Sequence, residues 1–169
     1  MKALLALTLL ISTNFAAQAA IAPADAFAAI KKLEGDWRGP GMPGMPPAHS
    51  IFRLTSGGSA VQETIFPGTK MEMLSVYHMN KGELLMTHYC ALGNAPQVKL
   101  NARKSTSTEL IFDFDGGTNF NPRRDMHMHS LVLKLPTNTK STPKLVVSGT
   151  SWADGKEKAG CESVLTKRK

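Results

Sequence analysis

Three histidines offer most of the chemistry that this sequence could perform. His127 and His129 stand two residues apart, and the next odd positions along the segment are leucines. In a strand with this alternation both imidazoles lie on the face that the leucines mark as core, about 6.6 Å apart. On an earlier segment His88 and Cys90 fall on an apolar face by the same alternation. Imidazoles and a thiol are therefore predicted to face an interior.

Inward imidazoles at this spacing have three interpretations. They could hold a metal ion at about 2 Å, with His127, His129 and His88 as ligands and one coordination position open, as in catalytic zinc sites. They could contact a small ligand, with Tyr77 as a further polar group. They could also be neutral core histidines, hydrogen-bonded to neighbouring hydroxyls or to the main chain.

The N-terminus has the pattern of a secretory signal peptide, which we place at residues 1–20. The segment begins with one lysine, continues with an apolar run at 3–11 and ends with a small-residue cleavage site at 17–19. This is the order of features in a signal peptide. The apolar run is too short to span a bilayer, and no later stretch reaches the ~20 apolar residues of a spanning helix. We expect a periplasmic or secreted protein with no transmembrane segment, in which residues 21–169 form a single domain.

Cys90 and Cys161 are the two cysteines of the chain. An even number in an exported protein favours a disulfide, and this long loop would contribute up to ~4 kcal/mol. Two free thiols are the alternative. A nucleophilic pair of His88 and Cys90 is disfavoured because a disulfide-bonded sulfur cannot attack. The common hydrolase, nucleotide-binding and redox motifs are absent from the sequence, so we predict no catalytic residue.

The positive charge of the chain is dispersed. The formal charge of +7 over 169 residues falls to +6 when Lys2 is removed, and the basic residues stand mostly in ones and twos. Proteins that bind nucleic acid cluster such charges on one face and interleave aromatic rings. We therefore predict no nucleic-acid partner and a basic surface that favours anionic ligands or envelopes.

The sequence predicts a short Ala-rich helix, with Asp25 as candidate N-cap and Gly35 as its stop. The rest of the chain has the pattern of a series of strands. The predicted strands are 50–55, 60–66, 71–79, 83–92, 97–104, 109–115, 126–135, 144–152 and 160–166. Gly- and Asn-containing turns at 56–59, 80–82 and 154–156 predict hairpins. An open sheet of this many strands would leave the backbone groups of its edge strands unpaired, so we expect the meander to close into a barrel. We predict an all-β, antiparallel up-and-down barrel of about 8–10 strands with a short N-terminal helix.

Residues 39–48 are rich in Gly, Pro and Met and are unsuited to a sheet. We predict a mobile loop over one barrel mouth. Thioethers suit Cu(I), so a copper carrier that uses these methionines with His127 and His129 is an alternative to zinc.

The segment Leu-Glu-Gly-Asp-Trp-Arg-Gly at 33–39 resembles the start of lipocalin-like (calycin) barrels, in which a Gly-x-Trp on the first strand packs beside a short helix. Segments 56–64, 77–79, 84–96, 126–131 and 154–157 are similar to a family of exported bacterial proteins with that barrel. The resemblance implies a fold and a compartment but no activity. Nitrobindin-type haem barrels share the opening segment but ligate iron through a late histidine. No histidine follows His129 here, so haem is not expected.

Together these features predict an exported binding module for a small apolar or amphipathic molecule, with His88, Tyr77, His127 and His129 as its polar contacts. A metal-binding protein, with a zinc hydrolase-like site or as a copper carrier, is the alternative. A further alternative is a non-catalytic protein whose basic surface docks on the cell envelope.

Overall fold

The computed structural model describes residues 20–41, 44–137, 142–160 and 162–168. The helix α1 spans Pro23–Lys31. The strands are β1 (Gly35–Arg38), β2 (His49–Thr55), β3 (Ala60–Ile65), β4 (Met73–Asn80), β5 (Glu83–Tyr89), β6 (Ala95–Leu100), β7 (Glu109–Thr118), β8 (His127–Lys134), β9 (Lys144–Ala153), β10 (Lys156–Ala159) and β11 (Ser163–Lys167). Residues 1–19 of the predicted signal peptide lie outside the described residues.

The strands form one antiparallel sheet that closes on itself. Each strand from β1 to β9 pairs with the next in the chain, and β11 pairs with both β9 and β1. Ten strands, β1 to β9 and β11, thus complete a ring, while β10 pairs with the last residues of β9. The predicted all-β up-and-down barrel with one short helix is confirmed.

Tight turns set the register of the hairpins. At the β4–β5 connection Lys81 and Gly82 have φ of 48° and 88°, and at the β9–β10 connection Asp154 and Gly155 have φ of 53° and 71°. Two successive positive φ angles match the right-handed twist of the flanking strands. Both hairpins were predicted from these residues. The strand β10 was not predicted, because it has four residues and no clear apolar alternation. The equally short β1 was implied only by the resemblance of its Gly-x-Trp to the first strand of lipocalin-like barrels.

The helix begins two residues before the predicted N-cap. Ala22 is the N-cap residue, without a side-chain hydrogen bond, and Pro23 opens the first turn. Proline fits this position because its φ is already helical and the first N–H groups have no partner within the helix. The prediction of Asp25 as N-cap is therefore wrong, and its carboxylate lies in the first turn.

Substitution of Asp25 tests this correction. We expect Asp25→Ala to lower the free energy of unfolding by only about 0.3 kcal/mol, from its weak interaction with the helix dipole, against about 1 kcal/mol for loss of a true cap. Urea denaturation at low and high salt measures it. A salt-independent loss of 1 kcal/mol or more would show that Asp25 caps the helix.

The two ends of the barrel differ in chemistry. At the first, the helix end, α1 packs on β4 and β5 and buries Ala26, Phe27 and Ile30 within the apolar core. The opposite end, the mouth, carries the connections 39–48, 66–72, 90–94, 119–126 and 154–155. Most polar side chains that point into the barrel lie toward the mouth: Ser50, Glu63, Ser75, His88, His127 and His129.

The Gly/Pro/Met-rich loop leaves the barrel at the mouth, between β1 and β2. The amide of Gly39 donates to the carbonyl oxygen of Ala48 at 2.8 Å, which closes the base of the loop. Residues 42 and 43 lie outside the described residues, and the mobility of the loop remains a prediction. Within the described part of the chain, no helix combines the length and apolar character needed to cross a membrane.

Candidate functional site

A buried carboxyl group lies inside the barrel on β3. Glu63 is 3% exposed, and its Oε1 accepts a hydrogen bond from Ser50 Oγ on β2 at 2.7 Å. Its Oε2 accepts one from the hydroxyl of Tyr77 on β4 at 2.8 Å. Burial raises the pKa of Glu63, and the two hydroxyls oppose this by stabilising the carboxylate. We call Ser50, Glu63 and Tyr77 the carboxyl cluster.

A second buried pair lies beside it. Ser75 of β4 is directly opposite both Glu63 of β3 and His88 of β5 in the strand register. Ser75 Oγ and His88 Nδ1 are 3.0 Å apart, and both side chains are buried. Burial lowers the pKa of His88 to about 4, so the imidazole is neutral near pH 7.

The pair of Ser75 and His88 does not have the geometry of a hydrolase nucleophile. The serine is 1% exposed, and within the described residues no carboxylate hydrogen-bonds to His88. A substrate could not reach such a hydroxyl, and no acid orients the imidazole. The pair instead satisfies two polar groups in the barrel interior.

The other two candidate histidines belong to an aromatic group on β7, β8, β9 and the connection 119–126, which we call the mouth cluster: Phe114, Phe120, His127, His129 and Trp152. His127 is 1% exposed, and its ring centroid lies 4.6 Å from that of Phe120 and 4.8 Å from that of Phe114. The half-buried His129 stacks on Phe114 at 4.9 Å and lies 5.2 Å from Trp152. The cluster forms an aromatic wall at the mouth.

A chain of hydrogen bonds assigns a tautomer to each of the two histidines when both rings are neutral. His127 Nδ1 lies 2.8 Å from the carbonyl oxygen of Asp125, which can only accept, so Nδ1 carries the proton. His127 Nε2 is then an acceptor, and it lies 3.3 Å from His129 Nδ1, which must donate. The neutral His129 is left with a lone pair on Nε2. Burial and the neighbouring His127 lower the pKa of His129, against an opposing effect of Glu157.

The structure brings together two of the three predicted metal ligands. His127 and His129 are in contact, but among the described residues no group of three or more His, Cys, Asp or Glu side chains is placed to hold a metal ion. His88 is hydrogen-bonded to Ser75 instead. The zinc and copper interpretations gain no support from this arrangement and remain predictions.

Cys90 lies half-buried where β5 ends, with its Sγ 4.0 Å from the sulfur of Met73. Cys161 lies outside the described residues. The predicted disulfide between them therefore stays a prediction.

Sequence reasoning missed Glu63 and Trp152. The signal for Glu63 was present, because it stands between Val61 and Ile65 at a period of two and so shares their inward face. Trp152 had no such signal. The register between β8 and β9 shifts between Met128 and Ser130, and the indole faces the histidines only because of that irregularity.

A small cavity opens beside the carboxyl cluster. Its volume is about 70 Å³, and Ser50, Glu63, Ser163, Val147 and Leu165 are among its lining residues. Pockets for drug-sized ligands are several-fold larger, about 300–1,000 Å³. Elsewhere the interior is filled by large side chains such as Phe52, Tyr77, Met86 and Phe112. A ligand in this cavity must therefore be small.

No family model matches this chain, and searches of curated proteins and of solved structures find no match either.

Proposed function

We propose that the protein is an exported binding module that holds a small apolar or amphipathic molecule at the mouth of its barrel. The observation that carries this proposal is the hydrogen-bonded chain from the Asp125 carbonyl through His127 to His129, which in the neutral rings leaves His129 Nε2 as an acceptor beside the aromatic wall. A ligand with a flat apolar body would stack on Trp152 or Phe114, and one donor group would bind the imidazole. Few polar groups on an apolar surface are typical of small-molecule sites.

The rigidity of this acceptor supports the proposal. The carbonyl of Asp125 holds His127, and His127 in turn holds His129, so the ring nitrogen does not need to reorganise when a donor arrives. A preorganised group costs less conformational entropy on binding. Export rests on the N-terminal sequence pattern alone.

The probe 2-naphthol tests the proposal, since it combines a flat apolar body with one hydroxyl donor. We expect saturable binding that shifts the NMR signal of the Trp152 indole N–H, which donates to the Arg123 carbonyl at 3.2 Å. The indole of Trp37, near the helix end, donates to the Leu33 carbonyl and is an internal reference that should not move. His129→Phe keeps the stacked ring but loses the acceptor, so affinity should fall about tenfold.

Two controls sharpen this test. Naphthalene lacks the hydroxyl and should bind about tenfold more weakly than 2-naphthol. His78→Phe removes an imidazole from the opposite face of β4 to Tyr77 and should leave binding unchanged. Equal affinity of wild type and His129→Phe for 2-naphthol, or equal shifts of both indole signals, would contradict the proposal.

A further inference from the structure

The cavity beside the carboxyl cluster is a polar site with apolar walls. Ser50, Glu63 and Ser163 are among its polar lining residues, and Val147 and Leu165 are among its apolar ones. Glu63 and Ser50 are 3% and 5% exposed, so the carboxyl oxygens are held away from bulk water. Oxygen acceptors in a space of about 70 Å³ restrict both the size and the chemistry of an occupant.

The carboxyl group of Glu63 has no charged partner in the described residues. Its hydrogen bonds come from two neutral hydroxyls, and no Lys, Arg or His contributes to its electrostatic environment there. His49 also lines the cavity, but its Nε2 lies 3.2 Å from Asp36 Oδ1 and interacts with that carboxylate instead of with Glu63. A carboxylate has about four acceptor positions, of which two are filled here. A buried carboxylate of this kind is stabilised by a cation.

We propose that this cavity binds a primary ammonium group, either a small organic ammonium ion or the amine head of a larger molecule. An ammonium has three donors and no acceptor, which matches Glu63, Ser50 and Ser163. A volume of about 70 Å³ holds roughly two water molecules at their liquid volume, and so accommodates an amine with one or two carbons.

Other cations fit less well. Calcium takes 6–8 oxygen ligands, whereas the cavity offers one carboxyl group and two hydroxyls in its described wall. A quaternary ammonium has no N–H to donate and is bound by aromatic faces. The site is separate from the mouth cluster, so the inference does not rest on the proposed function.

Methylammonium chloride is the probe for this inference, titrated at constant ionic strength against sodium chloride and tetramethylammonium chloride. We expect methylammonium alone to give saturable shifts of the backbone amide signals of Ser50, Glu63 and Ser163 in ¹H–¹⁵N spectra. Glu63→Gln preserves the shape of the side chain and removes its charge, and should abolish the saturable shifts. Glu109→Gln, the same change near the helix end, should not.

A milder variant covers the case in which Glu63→Gln does not fold. Ser163→Ala removes one acceptor from the cavity wall and should weaken methylammonium binding about tenfold. Equal shifts with all three salts, no shift with methylammonium, or unchanged affinity in Ser163→Ala or in a folded Glu63→Gln would each overturn the inference. His129→Phe should retain methylammonium binding, which separates this site from the one at the mouth.

Discussion

The free energy of unfolding should fall by about 3 kcal/mol between pH 7 and pH 4 through His88 alone. The imidazole is buried and its Nδ1 faces Ser75 Oγ at 3.0 Å, a partner that gives no charge to balance an imidazolium. Burial therefore lowers the pKa of His88 from an ordinary value near 6.5 to about 4. The native barrel resists protonation of this ring, and the unfolded chain does not.

The sign follows from proton binding. Between pH 6.5 and pH 4 the unfolded chain binds more protons at His88 than the native state does, so falling pH favours unfolding. The contribution of His88 to the free energy of unfolding is fully present above its pKa in the unfolded chain. It is lost progressively as the pH falls to its pKa in the native state. Glu63 has the opposite effect on the free energy of unfolding. Its pKa is raised in the native state, so falling pH neutralises a buried carboxylate and favours the native barrel.

His88→Gln isolates this contribution. Glutamine can still hydrogen-bond to Ser75 and does not titrate. Glu63 and the surface carboxylates are present in both proteins, so their contributions cancel in the difference between the two free energies of unfolding. Urea denaturation at pH 7, 5 and 4 measures it, with His78→Gln on the outer face as the matched control. A difference between wild type and His88→Gln that stays constant from pH 7 to pH 4 would contradict the prediction.

Much of the fold could be predicted because the local signals agree with the barrel. The leucines at 131 and 133 are buried on the inner face of β8, and His127 is buried with them, as the alternation indicated. The boundaries of β6 were less accurate. Proline was excluded from the predicted strand, but Pro96 lies in β6 beside a register shift that accommodates it.

The candidate site was harder to predict because its polar groups satisfy each other across strands. The two faces of β4 could not be separated by hydrophobicity, since Ser75 and Tyr77 are polar and yet point inward. They do so because Glu63 and His88, on the neighbouring strands, provide their hydrogen-bond partners. Only the register between strands contains this information, and it depends on the closed sheet as a whole.

Removal of the Tyr77 hydroxyl should destabilise the protein by about 2 kcal/mol at pH 7. Tyr77 is 0% exposed, and its hydroxyl is the donor to Glu63 Oε2. Tyr77→Phe keeps the ring, whose centroid lies 6.5 Å from that of Phe52 and 6.3 Å from that of Phe112, and so leaves the packing intact. The loss comes from one buried carboxyl oxygen without its donor.

Tyr77→Ala adds the loss of the ring and should cost about 4 kcal/mol, the range of large-to-small core substitutions. Equilibrium urea denaturation measures both variants, and Tyr89→Phe is the control because that ring is 52% exposed. We expect the control to change stability by less than about 0.5 kcal/mol. A Tyr77→Phe variant as stable as wild type would show that Glu63 does not depend on the hydroxyl.

We expect the charge of Glu63 to determine how much stability is lost in Tyr77→Phe. A double-mutant cycle with Glu63→Gln measures the part of the loss that depends on this charge. A neutral amide needs the Tyr77 hydroxyl less than a carboxylate does, so Tyr77→Phe should cost about 1 kcal/mol in the glutamine background, a coupling of about 1 kcal/mol. Burial raises the pKa of Glu63, and acid should shrink the coupling as the wild-type carboxyl becomes neutral. Coupling that is absent at pH 7 and does not change as the pH falls would mean that the buried carboxyl is already neutral at pH 7. It would then have no charge to offer an ammonium ion.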